Sequence, residues 1–325
     1  MKYTSLSVIC DGANTRLGTI FTPYQFYYSW NKANEEDTVS NGISSLFTMI
    51  EGVFAKDRIL QILRDFIFYP DDSKKQEAII CRYPQFFAAN KMLANIQRHK
   101  KPEGDGKGGI YFGATGCGKT YIMLFLARLL MLRDRDRFHN PTIVLITDRE
   151  DLDTQASKLF VTAKKYLHDE NVRSIETRED LHDTLANRES GGVYITTIQK
   201  FCEDTGVLSE RSNIICISDE AHRTQTGVGE KLKKTEKGVF VTYGFAEYLR
   251  RSFPNATYCG FTGTPIDEAI AVFGGVVDSY TMKEASDDGI TVRIAYEPRL
   301  VRVVLSEKDA KEIQEYYNRC AEQGA

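Results

Sequence analysis

The octet Gly113-Ala114-Thr115-Gly116-Cys117-Gly118-Lys119-Thr120 constrains this chain more than any other stretch. It fits G-x-x-x-x-G-K-[ST], a loop whose backbone N–H groups wrap around phosphates. Glycines let those groups turn inward where a Cβ would clash. A helix that opens directly after the loop aims its positive end at the anion. At average residue frequencies the four fixed positions arise by chance in roughly 1% of chains this long. Here the context agrees as well. Gly109-Ile110-Tyr111-Phe112 reads as a short apolar strand before the loop, and residues 120–132 read as a strongly apolar helix after it. The octet implies a nucleotide site, with Lys119 on the β- and γ-phosphates and the Thr120 hydroxyl on Mg²⁺.

A second element of the same kind follows a hundred residues later. The apolar run 214–217 delivers Asp219 and Glu220 to its carboxyl end, where ligands sit in open α/β sheets. Two adjacent carboxylates after a buried strand are costly unless a metal or hydrogen bonds neutralise them. Asp219 suits coordination of Mg²⁺, and Glu220 suits orienting and deprotonating an attacking water. A solvated turn is the bland alternative.

These motifs sit in a regular frame. From about residue 76, apolar runs at 142–147, 193–196, 214–217 and 256–261 alternate with helical patterns, each run ending in a polar turn. That pattern predicts an α/β fold with a parallel central sheet covered on both faces. Residues 1–75 have another texture. Phe21, Tyr24, Phe26, Tyr27, Tyr28 and Trp30 crowd one decade, residues 59–67 carry helical spacing, and Tyr69-Pro70-Asp71-Asp72 reads as a turn. This predicts a small, mainly helical connecting region. Its aromatics are expected to pack against a neighbouring domain, with stacking on single-stranded bases as the alternative. Beyond 275, residues 291–296 and 300–305 read as extended and 307–320 as a helix.

Composition excludes more than it identifies. A net charge of −3 argues against a polycation that coats nucleic acid, although a few placed Lys and Arg could still form a local track. No run of about 18 apolar residues could span a bilayer, and the N-terminus lacks a basic region followed by an apolar one. Seven cysteines occur without any C-x-x-C pair, which suits reduced thiols and a cytoplasmic setting. Cys117 fits as a small residue filling a slot of the loop.

Together, the loop and Asp219-Glu220-Ala221-His222 resemble the core of a superfamily 2 helicase or translocase, a RecA-like P-loop NTPase lobe. Thr262-Gly263-Thr264-Pro265 is similar to that superfamily's third motif, which implies that His222, Thr262 and Thr264 couple hydrolysis to nucleic-acid binding. Thr147, Arg149 and Gln155, then Thr196, Thr197 and Lys200, fall where the family contacts the DNA backbone. Gln85 precedes the loop by about thirty residues, as does the glutamine that reads adenine in this superfamily. The resemblance narrows at Asp219-Glu-Ala-His-Arg-Thr-Gln225, Gly260-Phe-Thr-Gly-Thr-Pro-Ile266 and Leu145-Ile-Thr-Asp-Arg149. With Asp11-Gly-Ala-Asn-Thr15, Asp288-Gly289 and Tyr296-Glu297, these look like the motor subunit of type I restriction enzymes.

That resemblance implies ATP and Mg²⁺ as cofactors. It also implies double-stranded DNA and the modification and specificity subunits as partners, with no membrane role. By the same resemblance, residues 1–75 would end a nuclease domain, 76–275 would form the first ATPase lobe, and 276–325 would link to a second lobe. The arginine-finger pattern Q-x-x-G-R-x-x-R of that second lobe does not occur, and Pro70-Asp71-Asp72-Ser73-Lys74 compresses the nuclease letters into one turn. A fragment with slow hydrolysis of its own is therefore expected. An RNA-remodelling ATPase would usually carry Ser-Ala-Thr in place of Thr262-Gly263-Thr264. A vestigial nucleotide-binding scaffold would not need Lys119, Thr120, Asp219 and Glu220 intact.

Overall fold

The computed structural model describes residues 4–40, 42–71, 77–147, 155–201, 206–221, 231–235, 238–242, 245–264, 267–292 and 311; for 231–246, 267 and 268 only the backbone is described. The chain divides into a compact unit over residues 1–291 and a second unit over 292–325. Of the second unit only Val292 and Lys311 are described, so the extended and helical segments expected beyond residue 292 lie outside the described residues.

The first unit opens with the hairpin β1 (Ser7–Cys10) and β2 (Thr15–Gly18). Its turn is fastened by Asp11, whose Oδ1 accepts from the backbone N–H of Ala13 (2.9 Å) and Asn14 (2.7 Å). Hydrogen bonds from the Asn14 side chain and then from these N–H groups hold that carboxyl at about 2. Helices α1 (Ser45–Val53) and α2 (Lys56–Asp65) follow, then the short hairpin β3 (Ile67–Phe68) and β4 (Ile79–Ile80). Helix α3 (Tyr83–His99) leads into β5 (Lys107–Gly113) and α4 (Lys119–Arg128), which continues as a π-helical turn to Arg133.

Strand β6 (Thr142–Thr147), helices α5 (Gln155–Val161) and α6 (Lys164–Leu167), β7 (Val172–Ser174), α7 (Arg178–Ala186), β8 (Val193–Thr197) and β9 (Ile214–Ser218) come next. A separate hairpin, β10 (Lys231–Thr235) and β11 (Gly238–Thr242), then precedes α8 (Phe245–Ser252) and β12 (Thr257–Thr262). Helix α9 (Asp267–Phe273), β13 (Val276–Tyr280) and α10 (Met282–Asp287) complete the unit.

Seven strands form one parallel sheet in the order β13-β5-β12-β9-β6-β8-β7. The α/β fold read from the alternating apolar runs is the fold observed. Its runs are continuous because both faces are covered. Alternation then divides each strand between two cores. Ile143, Leu145, Ile215, Ile217, Val193 and Ile195 face the core built with α3 and α4. Val144, Ile146, Ile214, Cys216 and Tyr194 face the core built with α7, α8 and α9.

The N-terminal aromatics enter the first of these cores. Trp30 is buried against Tyr83, Phe86 and Phe87 of α3, with ring centroids 5.9–6.4 Å apart. Phe66 lies 4.8 Å from Phe86 and 5.2 Å from Phe125 of α4. A buried ring of this size costs about 3–5 kcal/mol on truncation to Ala, so these contacts fix residues 17–68 to the sheet's helices. Trp30 packs as expected of an aromatic, but within the same compact unit and not against a neighbouring domain. The seams expected at 75 and 275 both fall inside the compact unit, and β13 is an edge strand of the main sheet. At that edge the Asp288 carboxylate accepts from Tyr83, from Tyr280 (2.6 Å) and from Asn31 (2.7 Å), three segments remote in sequence. Burial, then the Asp288 bond, pushes the phenols of Tyr83 and Tyr280 up.

Candidate nucleotide site

The phosphate loop spans the end of β5 and the start of α4. Gly116 and Gly118 adopt φ of +83° and +86°, the left-handed region that a side chain resists. A Cβ on Gly118 would collide with the Gln85 amide, and one on Gly113 would lie 2.6 Å from the Tyr111 ring. Glycine is thus required by torsion at 116, by space at 113 and by both at 118. Cys117 is buried beneath the loop, and burial pushes its thiol up, which makes it an unreactive filler. Lys119 is half-buried, and its ammonium donates to the Gly113 carbonyl at 3.2 Å.

Four strands bring the remaining motifs to the same edge. Strand β12 lies between β5 and β9, and β6 lies on the far side of β9. The register pairs Gly260 and Ile146 with Ser218, so Asp219 emerges one step past the sheet. Its N–H donates to the Ile146 carbonyl at 2.8 Å. Glu220 then takes φ of +50°, a conformation costing about 1–3 kcal/mol in a non-glycine residue. It is held there because its N–H donates to Asp219 Oδ1 (3.0 Å) and the Ala221 N–H donates to the Phe261 carbonyl (2.9 Å). The 262–264 turn closes on itself, with the Thr264 N–H donating to Thr262 Oγ1 at 3.1 Å. A Cβ on Gly263 would lie 3.6 Å from Lys119 Nζ, so this turn touches the phosphate loop.

One cavity of about 900 Å³ is lined by both the phosphate loop and the Asp219–Glu220 corner. Gly116, Gly118, Lys119, Thr120, Asp219 and Glu220 all line it, although Lys119 and Asp219 are a hundred residues apart. Gln85 lines it too. Its Oε1 accepts from the Arg82 N–H (2.9 Å) and its Nε2 donates to the Gly118 carbonyl (3.4 Å), so its amide ties the start of α3 to the loop. Phe21, Phe26, Tyr28, Tyr121 and Lys158 also line it; sequence reasoning did not assign these to the site. The aromatic decade at 21–30 was the signal for the first three.

The residues expected on DNA are placed differently. Thr147, Thr196 and Thr197 are buried within β6 and β8, where threonine serves as a strand former. The Thr147 hydroxyl donates to the Thr196 carbonyl at 3.4 Å. Gln155 lines the cavity wall, at the start of α5. Lys200 is half-buried, donates to Thr197 Oγ1 at 3.3 Å, and has its ammonium pKa lowered by burial. Arg149 and His222 lie outside the described residues, as do Pro265 and residues 72–74. Among the described residues no group of three potential ligands could hold a metal by itself, and Cys10, Cys81, Cys117, Cys216 and Cys259 are free thiols.

The family model of the SWI2/SNF2 ATPases matches residues 84–324, from the start of α3 onward. This chain belongs to the SWI2/SNF2 ATPase family. It is 35% identical to the HindI type I restriction enzyme endonuclease subunit of Haemophilus influenzae, over 95% of this chain and 30% of that one. It is 30% identical to the MjaIXP type I restriction enzyme endonuclease subunit of Methanocaldococcus jannaschii, over 94% and 29% of the respective chains. The chain thus spans about 30% of the length of these relatives. Among solved structures, a SWI2/SNF2 ATPase core from Sulfolobus solfataricus is 12% identical with a TM-score of 0.36, covering 61% of this chain and 33% of that one. The resemblance to type I restriction subunits read from the motifs is met by these homologues. Family membership makes this an ATP-using domain of the hydrolase class. No described helix is long and apolar enough to cross a membrane.

Proposed function

We propose that this chain is the ATP-binding and hydrolysing lobe of a double-stranded DNA translocase in a type I restriction system. The observation that carries the reading is the convergence of Lys119, Thr120, Asp219 and Glu220 on one cavity. The Lys119 ammonium would neutralise the β- and γ-phosphates, which the N–H groups opening α4 would cradle. The Thr120 hydroxyl and the Asp219 carboxylate are hard oxygen donors, and they fit Mg²⁺. When bound, that ion supplies charge neutralisation at the phosphates. Glu220 would orient the attacking water and accept its proton, and its fixed backbone suits that task. Thr262 and Thr264, whose turn touches the loop through Gly263, would report the state of the phosphates to the rest of the motor, together with His222.

On this reading residues 1–75 connect to a nuclease, 76–275 form the first motor lobe, and 276–325 lead to a second. The working complex would add modification and specificity subunits in a cytoplasmic setting. DNA binding would rest on Lys200, Arg149 and the surrounding loops, since the threonines of β6 and β8 are buried. The test compares ATP turnover by the full-length subunit, assembled with its partners, in the presence of duplex DNA and of RNA. Duplex DNA is expected to stimulate turnover and RNA to leave it near basal. Stimulation by RNA alone would favour an RNA-remodelling ATPase, and an absence of ATP affinity would favour a scaffold.

A further inference from the structure

The phosphate loop is fastened near both of its ends, and the two fastenings lead to one carboxylate. At the start of the loop the Ala114 N–H donates to the Tyr280 carbonyl at 2.9 Å. Tyr280 is the last residue of β13, and the strand register sets it beside Gly113. Toward the other end, the Gly118 carbonyl accepts from Gln85 Nε2 at 3.4 Å. Helix α3 carries that glutamine two residues after Tyr83.

The phenols of Tyr280 and Tyr83 both donate to Asp288 Oδ2, at 2.6 Å for Tyr280, and the Asn31 amide donates to Asp288 Oδ1 at 2.7 Å. Tyr83, Tyr280 and Asn31 are all buried. An ionised carboxylate suits three donors because it only accepts, whereas an amide turns a donor of its own toward one of them. The capping box of α10 holds the connection short: Thr281 Oγ1 accepts from the Glu284 N–H (3.2 Å), and the Glu284 carboxylate accepts from the Thr281 N–H (2.8 Å). Strand β13 is an edge strand, so it lacks the second ladder that steadies an inner strand. The position of its last residue therefore leans on the Tyr280 side chain. Neither Asp288 nor the two tyrosines line the nucleotide cavity, so any effect they have on a ligand passes through the loop.

Resting on the nucleotide reading above, we propose that Asp288 is a positioning residue for the phosphate loop, acting through Tyr280 on its start and through Tyr83 and Gln85 on its end. It sets the affinity for the phosphate half of the ligand.

The test titrates the chain and its variants with Mg·ATP and with Mg·tripolyphosphate, at a temperature well below the midpoint of each variant's thermal melt. Asp288→Ala is expected to weaken both ligands alike, roughly tenfold, within the range over which contacting residues couple. Asp288→Asn should restore both to within about threefold of the wild type, because its amide oxygen still accepts from the phenols and the Asn31 amide can turn its own oxygen inward. Tyr83→Phe combined with Tyr280→Phe should weaken binding as Asp288→Ala does, and should add nothing when joined to it, since all three remove one junction. Should Asp288→Ala fail to fold, the tyrosine pair against the wild type carries the same test. Wild-type affinity in folded Asp288→Ala or in the tyrosine pair, additive losses, or no recovery in Asp288→Asn overturns the positioning role. Lys119→Ala weakening both ligands then shows that the phosphate site itself stands. A wild-type chain that binds neither ligand overturns the nucleotide reading, and the role of Asp288 with it.

Discussion

Lys119→Ala is expected to weaken Mg·ATP binding by about a hundredfold or more while the chain stays folded. The ammonium would make charge-assisted hydrogen bonds to two phosphates, each worth about 1.5–3 kcal/mol, and a hundredfold is about 2.7 kcal/mol. Its contribution to the fold is small by comparison. The side chain is half-buried, and its hydrogen bond to the Gly113 carbonyl, long at 3.2 Å, falls at the weak end of the roughly 1.5–3 kcal/mol of charged donors. Calorimetric titration alongside a thermal melt separates the two effects. A variant that binds ATP as the parent does would remove Lys119 from the site.

Glu220→Gln should divide binding from turnover. The amide keeps the size and the left-handed backbone position of Glu220 but cannot take a proton from water. ATP affinity should therefore remain within a few-fold. Turnover in the full-length subunit should fall by about 10²–10⁴, the usual contribution of a general base. Single-turnover hydrolysis measured beside equilibrium binding distinguishes this from a folding defect, which would lower both. Normal hydrolysis in that variant would assign the base to another residue.

The two predictions rest on features of unequal legibility. The loop 113–120 and the Asp219–Glu220 pair were readable because glycine torsion, a lysine and apolar flanks leave a local signature. The parallel sheet was readable for a related reason: strands covered on both faces become continuous apolar runs. Other features depend on partners distant in the chain. The family resemblance places the threonines at 147, 196 and 197 on DNA, whereas in the folded chain they are buried in β6 and β8. The resemblance assigns Val276–Tyr280 to a link toward a second lobe, whereas it pairs with β5 in the main sheet. As an edge strand β13 is only partly covered, with Tyr280 alone fully buried, which is why it carries no continuous apolar run.

Residues 1–75 were the least legible part. Their aromatics suggested an interface without naming its other side, which is α3 and α4 for Trp30 and Phe66, and the cavity for Phe26 and Tyr28. Gln85 is suggested by the superfamily resemblance. Its double engagement with Arg82 and Gly118 needed the folded chain.

The most direct measurement is a crystal structure of this chain with Mg²⁺ and a non-hydrolysable ATP analogue. The account predicts one triphosphate in the 113–120 loop, touching Lys119, with its metal ion bound from Thr120 and Asp219 together. A triphosphate lodged elsewhere, or one that engages Lys119 while its metal remains beyond reach of Asp219, would contradict it.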